Sequence, residues 1–178
     1  MAIKLPAPTG VRLCSRSSLS HSPLASAALA GTSTGNTLWI DMQWYSHVTF
    51  FVAASNSSGT PAATFTVKQA QDVSATRSKG LSCNTYFVQS TGFTGQSSSC
   101  DIWVSSAIAS GGSWAAISTV STLFGYAVEI QDTDLDLNNN FKTVLLAVTA
   151  TSSITLCVWA HLFPRFGANY AAMPTALT

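Results

Sequence analysis

Apolar and polar residues alternate in short runs along most of this chain. The clearest run is Thr64-Phe65-Thr66-Val67-Lys68, where every second side chain is apolar. A two-residue period lays one face of an extended strand on a core and turns the other to water. Similar or continuous apolar runs predict further strands at 38–40, 47–52, 81–88, 101–108, 115–119, 126–130, 142–149 and 154–163. Segments such as Asn56-Ser57-Ser58-Gly59-Thr60-Pro61 lie between them and supply the turn-forming residues Asn, Ser, Gly and Pro. Short strands at this spacing, with no convincing helix, predict an all-β fold: an antiparallel β-sandwich, jelly-roll-like in its layout.

Residues 1–36 break the pattern. Pro6, Pro8, Gly10, a Ser-rich run and Gly31-Thr32-Ser33-Thr34-Gly35-Asn36 hold no period, although 24–30 could form a helical turn or two. The expectation is an extended N-terminal arm over 1–36, a β-sandwich domain over 37–163 and an extended C-terminal tail over 164–178. Few charges solvate either end, so each is expected to lie on a neighbouring subunit. The segment 143–163 is long enough to span a bilayer, but its centre reads Thr149-Ala150-Thr151-Ser152-Ser153. Two strands joined by a turn fit it better, and no membrane span is expected. Lys4, Arg12 and Arg16 precede Ala28-Leu29-Ala30 as in a secretory leader. A Ser-rich stretch stands where the apolar region should be, so no signal peptide is expected.

Charge narrows the function classes. Eight Lys and Arg against seven Asp and Glu make 8% of 178 residues, where an ordinary soluble domain carries roughly 25%. A net charge of +1 excludes a binder that neutralises many phosphates, so no direct nucleic-acid contact is expected. Near-zero charge favours association of identical copies, which suits a subunit of a large assembly.

Candidate chemistry is sparse. Cys14, Cys83, Cys100 and Cys157 show no zinc spacing, and His21, His47 and His161 are equally scattered. A Cys83–Cys100 disulfide across neighbouring strands stays open. Asp132, Asp134 and Asp136 open like a calcium loop, but Leu137 replaces the sixth-position Gly and Thr143 the twelfth-position Glu. The favoured reading is a polar loop whose Asp side chains cap backbone amides. Gly31-Thr32-Ser33-Thr34-Gly35 has the G-x-S-x-G spacing, but it lies in a stretch without period and lacks the strand before it and the helix after it that a nucleophile elbow needs; no phosphate-binding loop occurs. Asn56-Ser57-Ser58 fits a glycosylation triplet but carries no weight without a secretory leader. No catalytic, cofactor-binding or metal residue is therefore assigned, and no enzyme is expected. Trp39, Trp103 and Trp159 lie in strand-like runs and are expected in the core; Trp44-Tyr45 and Trp114, at strand edges, could anchor an interface.

Two stretches carry a resemblance. The first is Gln69-Ala70-Gln71-Asp72-Val73, closing the alternating strand and followed by Lys79-Gly80-Leu81. The second is Glu129-Ile130, Asp134-Leu135-Asp136-Leu137-Asn138 and Phe141-Lys142-Thr143-Val144. Together they resemble small tailed-bacteriophage head proteins of the capsid decoration, or cement, kind. The likeness spans about 45–175, is weak over 91–114, and rests on structural turns. It implies a structural virion protein on the capsid exterior, assembled in the host cytoplasm, that binds the major capsid protein and stabilises the head. It also implies a symmetric homo-oligomer, with a trimer favoured. The alternatives are a tail, neck or fibre-associated structural protein, or a carbohydrate-binding host-recognition module.

Overall fold

The computed structural model describes residues 12–13, 27–29, 34–56, 63–83, 85–89, 103–108, 111–115, 123–151 and 154–165. In chain order the strands are β1 (Arg12–Leu13), β2 (Ala27–Leu29), β3 (Thr34–Asn36), β4 (Ile40–Asp41), β5 (Tyr45–Asn56) and β6 (Ala63–Ala70). They continue as β7 (Lys79–Gly80), β8 (Thr85–Gln89), β9 (Trp103–Ala107), β10 (Ser113–Ala115), β11 (Leu123–Gln131), β12 (Thr143–Ala150) and β13 (Ile154–Pro164). Two short 3-10 turns, Asp132–Asp134 and Leu137–Asn139, join β11 to β12.

The fold is all-β, built from two antiparallel sheets. The first runs β1-β13-β5-β11-β8-β9, with β2 also on β13. The second runs β10-β6-β12-β3, with β4 also on β12 and β7 on β6. Since β3 and β4 lie end to end along β12, they act as one interrupted strand. Without the additions at its margins, the fold reduces to β3/β4-β12-β6-β10 and β5-β11-β8-β9. The chain passes from sheet to sheet at nearly every connection, which is the strand order of a jelly roll.

Sequence pattern explains the two kinds of strand. In β13, Ile154, Leu156, Val158, Ala160 and Leu162 are buried, while Cys157, Trp159, His161 and Phe163 alternate with them on the opposite face. That period of two is why the long apolar stretch ending near Arg165 pairs as a strand instead of winding into a helix. No helix among the described residues is long and apolar enough to cross a membrane. The central β12 is flanked on both edges and buried at every position except Thr149.

One core joins the sheets. Phe65 of β6 stacks on Trp114 of β10 and tilts against Tyr126 of β11, with ring centroids 5.4 Å apart in each pair. Tyr86 of β8 stacks on Trp114 at 5.2 Å. Phe65 and Trp114 belong to the second sheet, Tyr86 and Tyr126 to the first, so these rings bridge the layers.

Several expectations change. Within 1–36, the three described segments all pair with this chain's own strands: β1 and β2 with β13, β3 with β12. Residues 27–29 form a strand where a helical turn seemed available, because the edge of β13 offers its backbone groups to them. Of the expected run at 38–40 only Ile40 enters a strand, β4, while Leu38 and Trp39 lie in the connection from β3; Leu81 to Cys83 precede β8 without joining it. Beyond Arg165 the expected tail lies outside the described residues, as do the other parts of the expected arm.

Candidate interaction surface

The two stretches that carry the resemblance meet at one end of the second sheet. Gln69, on β6, accepts a hydrogen bond at Oε1 from the Asp136 backbone N–H, 2.9 Å away. Gln71 Nε2 donates to the Asn139 carbonyl at 2.8 Å. Lys142 N–H donates to the Ala70 carbonyl at 3.0 Å, and the fully buried Thr143 hydroxyl lies 3.0 Å from Ala70 O and 3.1 Å from Asp72 O. Asp72 in turn holds the 71–78 loop, its Oδ1 accepting from Ser74 N–H at 2.9 Å and Thr76 N–H at 3.1 Å. A hydrogen bond with the Thr76 side chain, followed by those from the Thr76 and Ser74 amides, holds its carboxyl below the usual carboxylate range.

The three aspartates of the calcium-like run point to separate partners. Asp132 pairs with Arg165, Asp134 Oδ2 accepts from the Gln131 N–H at 2.8 Å, and Asp136 pairs with Lys79 at 2.5 Å. The Lys79 contact, followed by the Asn139 amide, pulls the Asp136 carboxyl below its ordinary range. Lys79 also lies over the Phe141 ring, 4.4 Å from its centroid. Asp134 thus caps a local backbone amide, as expected of a polar loop, whereas Asp132 and Asp136 are held by ion pairs to distant residues. Among the described residues no group of three His, Cys, Asp or Glu side chains could hold a metal. Beside this loop opens a cleft of about 280 Å³, with Met42, Leu135 and Leu137 as apolar lining and Asp132, Lys142 and Arg165 as its charged members.

Cys83 is a free, buried thiol, 3.5 Å from the Leu81 carbonyl. Burial, with the Asp134 charge adding to it, pushes its pKa up to about 11. Cys100, the other half of the disulfide left open above, lies outside the described residues.

A second surface was less legible. Paired residues of adjacent strands share a face, so the register assigns one row to the outward side of the first sheet: Trp159, Phe51, Ala127, Phe87 and Ser105. Phe51 and Trp159 stack at 5.6 Å, His161 tilts on Phe51 at 4.9 Å, and His47 stacks on Phe163 at 3.6 Å. Glu129 stands on this face 3.8 Å from His47. Towards β9 the face is uncharged among the described residues: Phe87 is 37% and Trp103 41% exposed. Val104, on the opposite face of the same edge strand, is 47% exposed.

This overturns the expected roles of the tryptophans. Trp103 is exposed on the edge strand, Trp159 is half-buried on the outward face, and Trp39 lies half-buried between β3 and β4. Conversely Trp114, expected as an interface anchor, is 5% exposed and central to the core; Tyr45 is fully buried and Trp44 packs on the core. Strand geometry is the reason. Tyr86-Phe87 and Trp103-Val104 are consecutive bulky residues, and neighbours in a strand point to opposite faces. Of Tyr86-Phe87 one had to leave the core, a signal the sequence carried, while on the edge strand β9 both Trp103 and Val104 stand exposed.

A scan against models of known protein families finds no match to this chain. No curated protein matches it significantly either.

Proposed function

We propose that this chain is a structural virion protein, a capsid decoration or cement protein that binds the major capsid protein on the outside of a phage head. The observation that carries the reading is the β9 margin of the first sheet, where Phe87 and Trp103 stand exposed on the outer face and Val104 on the other, with no charged side chain among the described residues there. Contiguous apolar surface rimmed by polar residues marks an interaction site, and a protein with 8% charged residues gains little from staying apart from its neighbours. The motifs of the resemblance lend support, being hydrogen-bonded to each other at a single end of the fold. In this reading the protein has no catalytic role. It forms a symmetric homo-oligomer, with a trimer favoured, and strengthens the shell by binding only the assembled state.

Particle composition tests the proposal. The protein should be present at a copy number matching the shell lattice, and particles lacking it should rupture at a lower temperature. A copy number of about six to twelve, as for a cyclic ring, would point to a neck or tail subunit. Identical melting of complete and stripped particles would remove the cement role. Phe87 and Trp103 on one face also favour a second reading, a glycan-stacking module for host recognition. That reading gains if the protein binds immobilised glycans and Trp103→Ala abolishes the binding.

A further inference from the structure

We propose that the β9 edge is a self-pairing site, at which a second copy of this chain adds its own β9 antiparallel and joins two first sheets into one. Among the described residues β8 covers one side of β9, and no strand pairs with the other. In an antiparallel arrangement alternate residues direct N–H and C=O away from their neighbour, so a free edge offers a template for another strand. Proteins that stay apart blunt such an edge with lysines, prolines, bulges or inward charges. Trp103-Val104-Ser105-Ser106-Ala107 has none of these, and the β8–β9 register is regular over all five residues.

The sequence of the strand selects a second copy over an unrelated partner. Antiparallel self-pairing centred on Ser105 places Trp103 opposite Ala107, Val104 opposite Ser106, and Ser105 opposite itself. Each bulky side chain then meets a small one, and no charge meets a like charge. The net charge of +1 leaves little long-range repulsion between copies. Trp103 and Phe87 would extend the contact on one face and Val104 on the other, which moves three exposed apolar side chains out of water. An acidic or basic partner would find no complement along this strand.

Such a contact is isologous and closes a two-fold axis. It would therefore bridge subunits in addition to the three-fold contact of the proposed trimer. It does not rest on the capsid reading but uses the same exposed side chains: pairing through β9 would leave Phe87, Trp103 and Val104 unavailable to a shell, whereas a chain that never pairs through β9 would leave that reading intact.

The test is a charge-swap experiment on the full chain, read by sedimentation equilibrium over a wide concentration range. Ser105 is exposed, so both Ser105→Lys and Ser105→Glu should preserve the circular dichroism spectrum and melting temperature of the parent. Either variant alone sets two like charges on the axis and should weaken the two-fold association by about tenfold or more, roughly 1.4 kcal/mol. Mixing the two should restore it as a heterodimer. A parent chain without a two-fold association overturns the proposal. So does an association that neither variant weakens, or single-variant loss that mixing fails to rescue.

Discussion

Gly111 and Gly112 are adjacent, both hold a positive φ, and only one of them is sterically closed. Gly111 has φ of 93° and an added Cβ would meet nothing within 4 Å. Gly112 has φ of 74°, and its Cβ would stand 1.9 Å from the Leu81 carbonyl oxygen and 3.1 Å from that of Val67. The crowding comes from backbone crossings at the foot of β10. Val67 N–H donates to the Gly112 carbonyl at 3.0 Å, and Leu81 N–H donates to the Val67 carbonyl at 2.9 Å. Replacing Gly111 by Ala should cost only the conformational strain, about 1–2 kcal/mol. Replacing Gly112 by Ala adds a clash with backbone that cannot rotate away. Relieving it must part Leu81 from Gly112, which strains two backbone hydrogen bonds worth about 1 kcal/mol each and opens the packing around Val67 and Leu81. A total of about 3–5 kcal/mol follows for Gly112→Ala, against 1–2 for its neighbour. Urea unfolding of both variants with the parent, analysed at fixed m, measures the difference directly. In heat, each kcal/mol should lower Tm by about 2–4 °C for a chain of this size. Equal destabilisation of the two variants would refute the argument that close approach, not φ, makes Gly112 irreplaceable.

Phe65→Ala should destabilise by about 3–5 kcal/mol, since it empties a fully buried site between Trp114 and Tyr126; Trp fluorescence should shift as the ring stack around Trp114 loosens. Thr143→Val keeps the shape but removes the donor shared by the Ala70 and Asp72 carbonyls, and a loss of about 1–3 kcal/mol is expected in chemical denaturation. Asp72 and Asp136 have carboxyl pKa values lowered by folding, so their contribution is present above the ordinary value of 3.8 and is lost as pH falls through the lowered value. Acid unfolding of Asp136→Asn should therefore show a shallower loss of stability at the acid end than the parent; an unchanged slope would contradict the assigned Lys79 contact. Cys83, buried with its pKa pushed up to about 11, should resist iodoacetamide at pH 8 in the folded protein and react after denaturation, as read by mass spectrometry.

The β nature of the chain was written in its short-range pattern. Thr64-Phe65-Thr66-Val67-Lys68 alternates and β6 is buried in that alternation; the same rule converts the apolar stretch of 154–163 into β13. Of the aspartates of 132–136 only Asp134 makes the expected local bond, to the Gln131 amide, whereas Asp132 and Asp136 pair with Arg165 and Lys79 from distant parts of the chain. What the pattern could not decide was which bulky residues meet which face. Trp114 and Trp103 look alike in their local runs, yet one lies at the centre of the core and the other on an open edge. Both β10 and β9 end their sheets in the strand order, so the difference lies in the face each ring takes: Trp114 packs between the layers on Phe65 and Tyr86, whereas Trp103 stands on the outward face of β9. Likewise, Gln69 and Asp136 are far apart in the chain, and only the pairing of β6 with β12 brings their loops together. Side-chain period is a property of a strand, but the end of a sheet and the neighbour across it are properties of the whole fold.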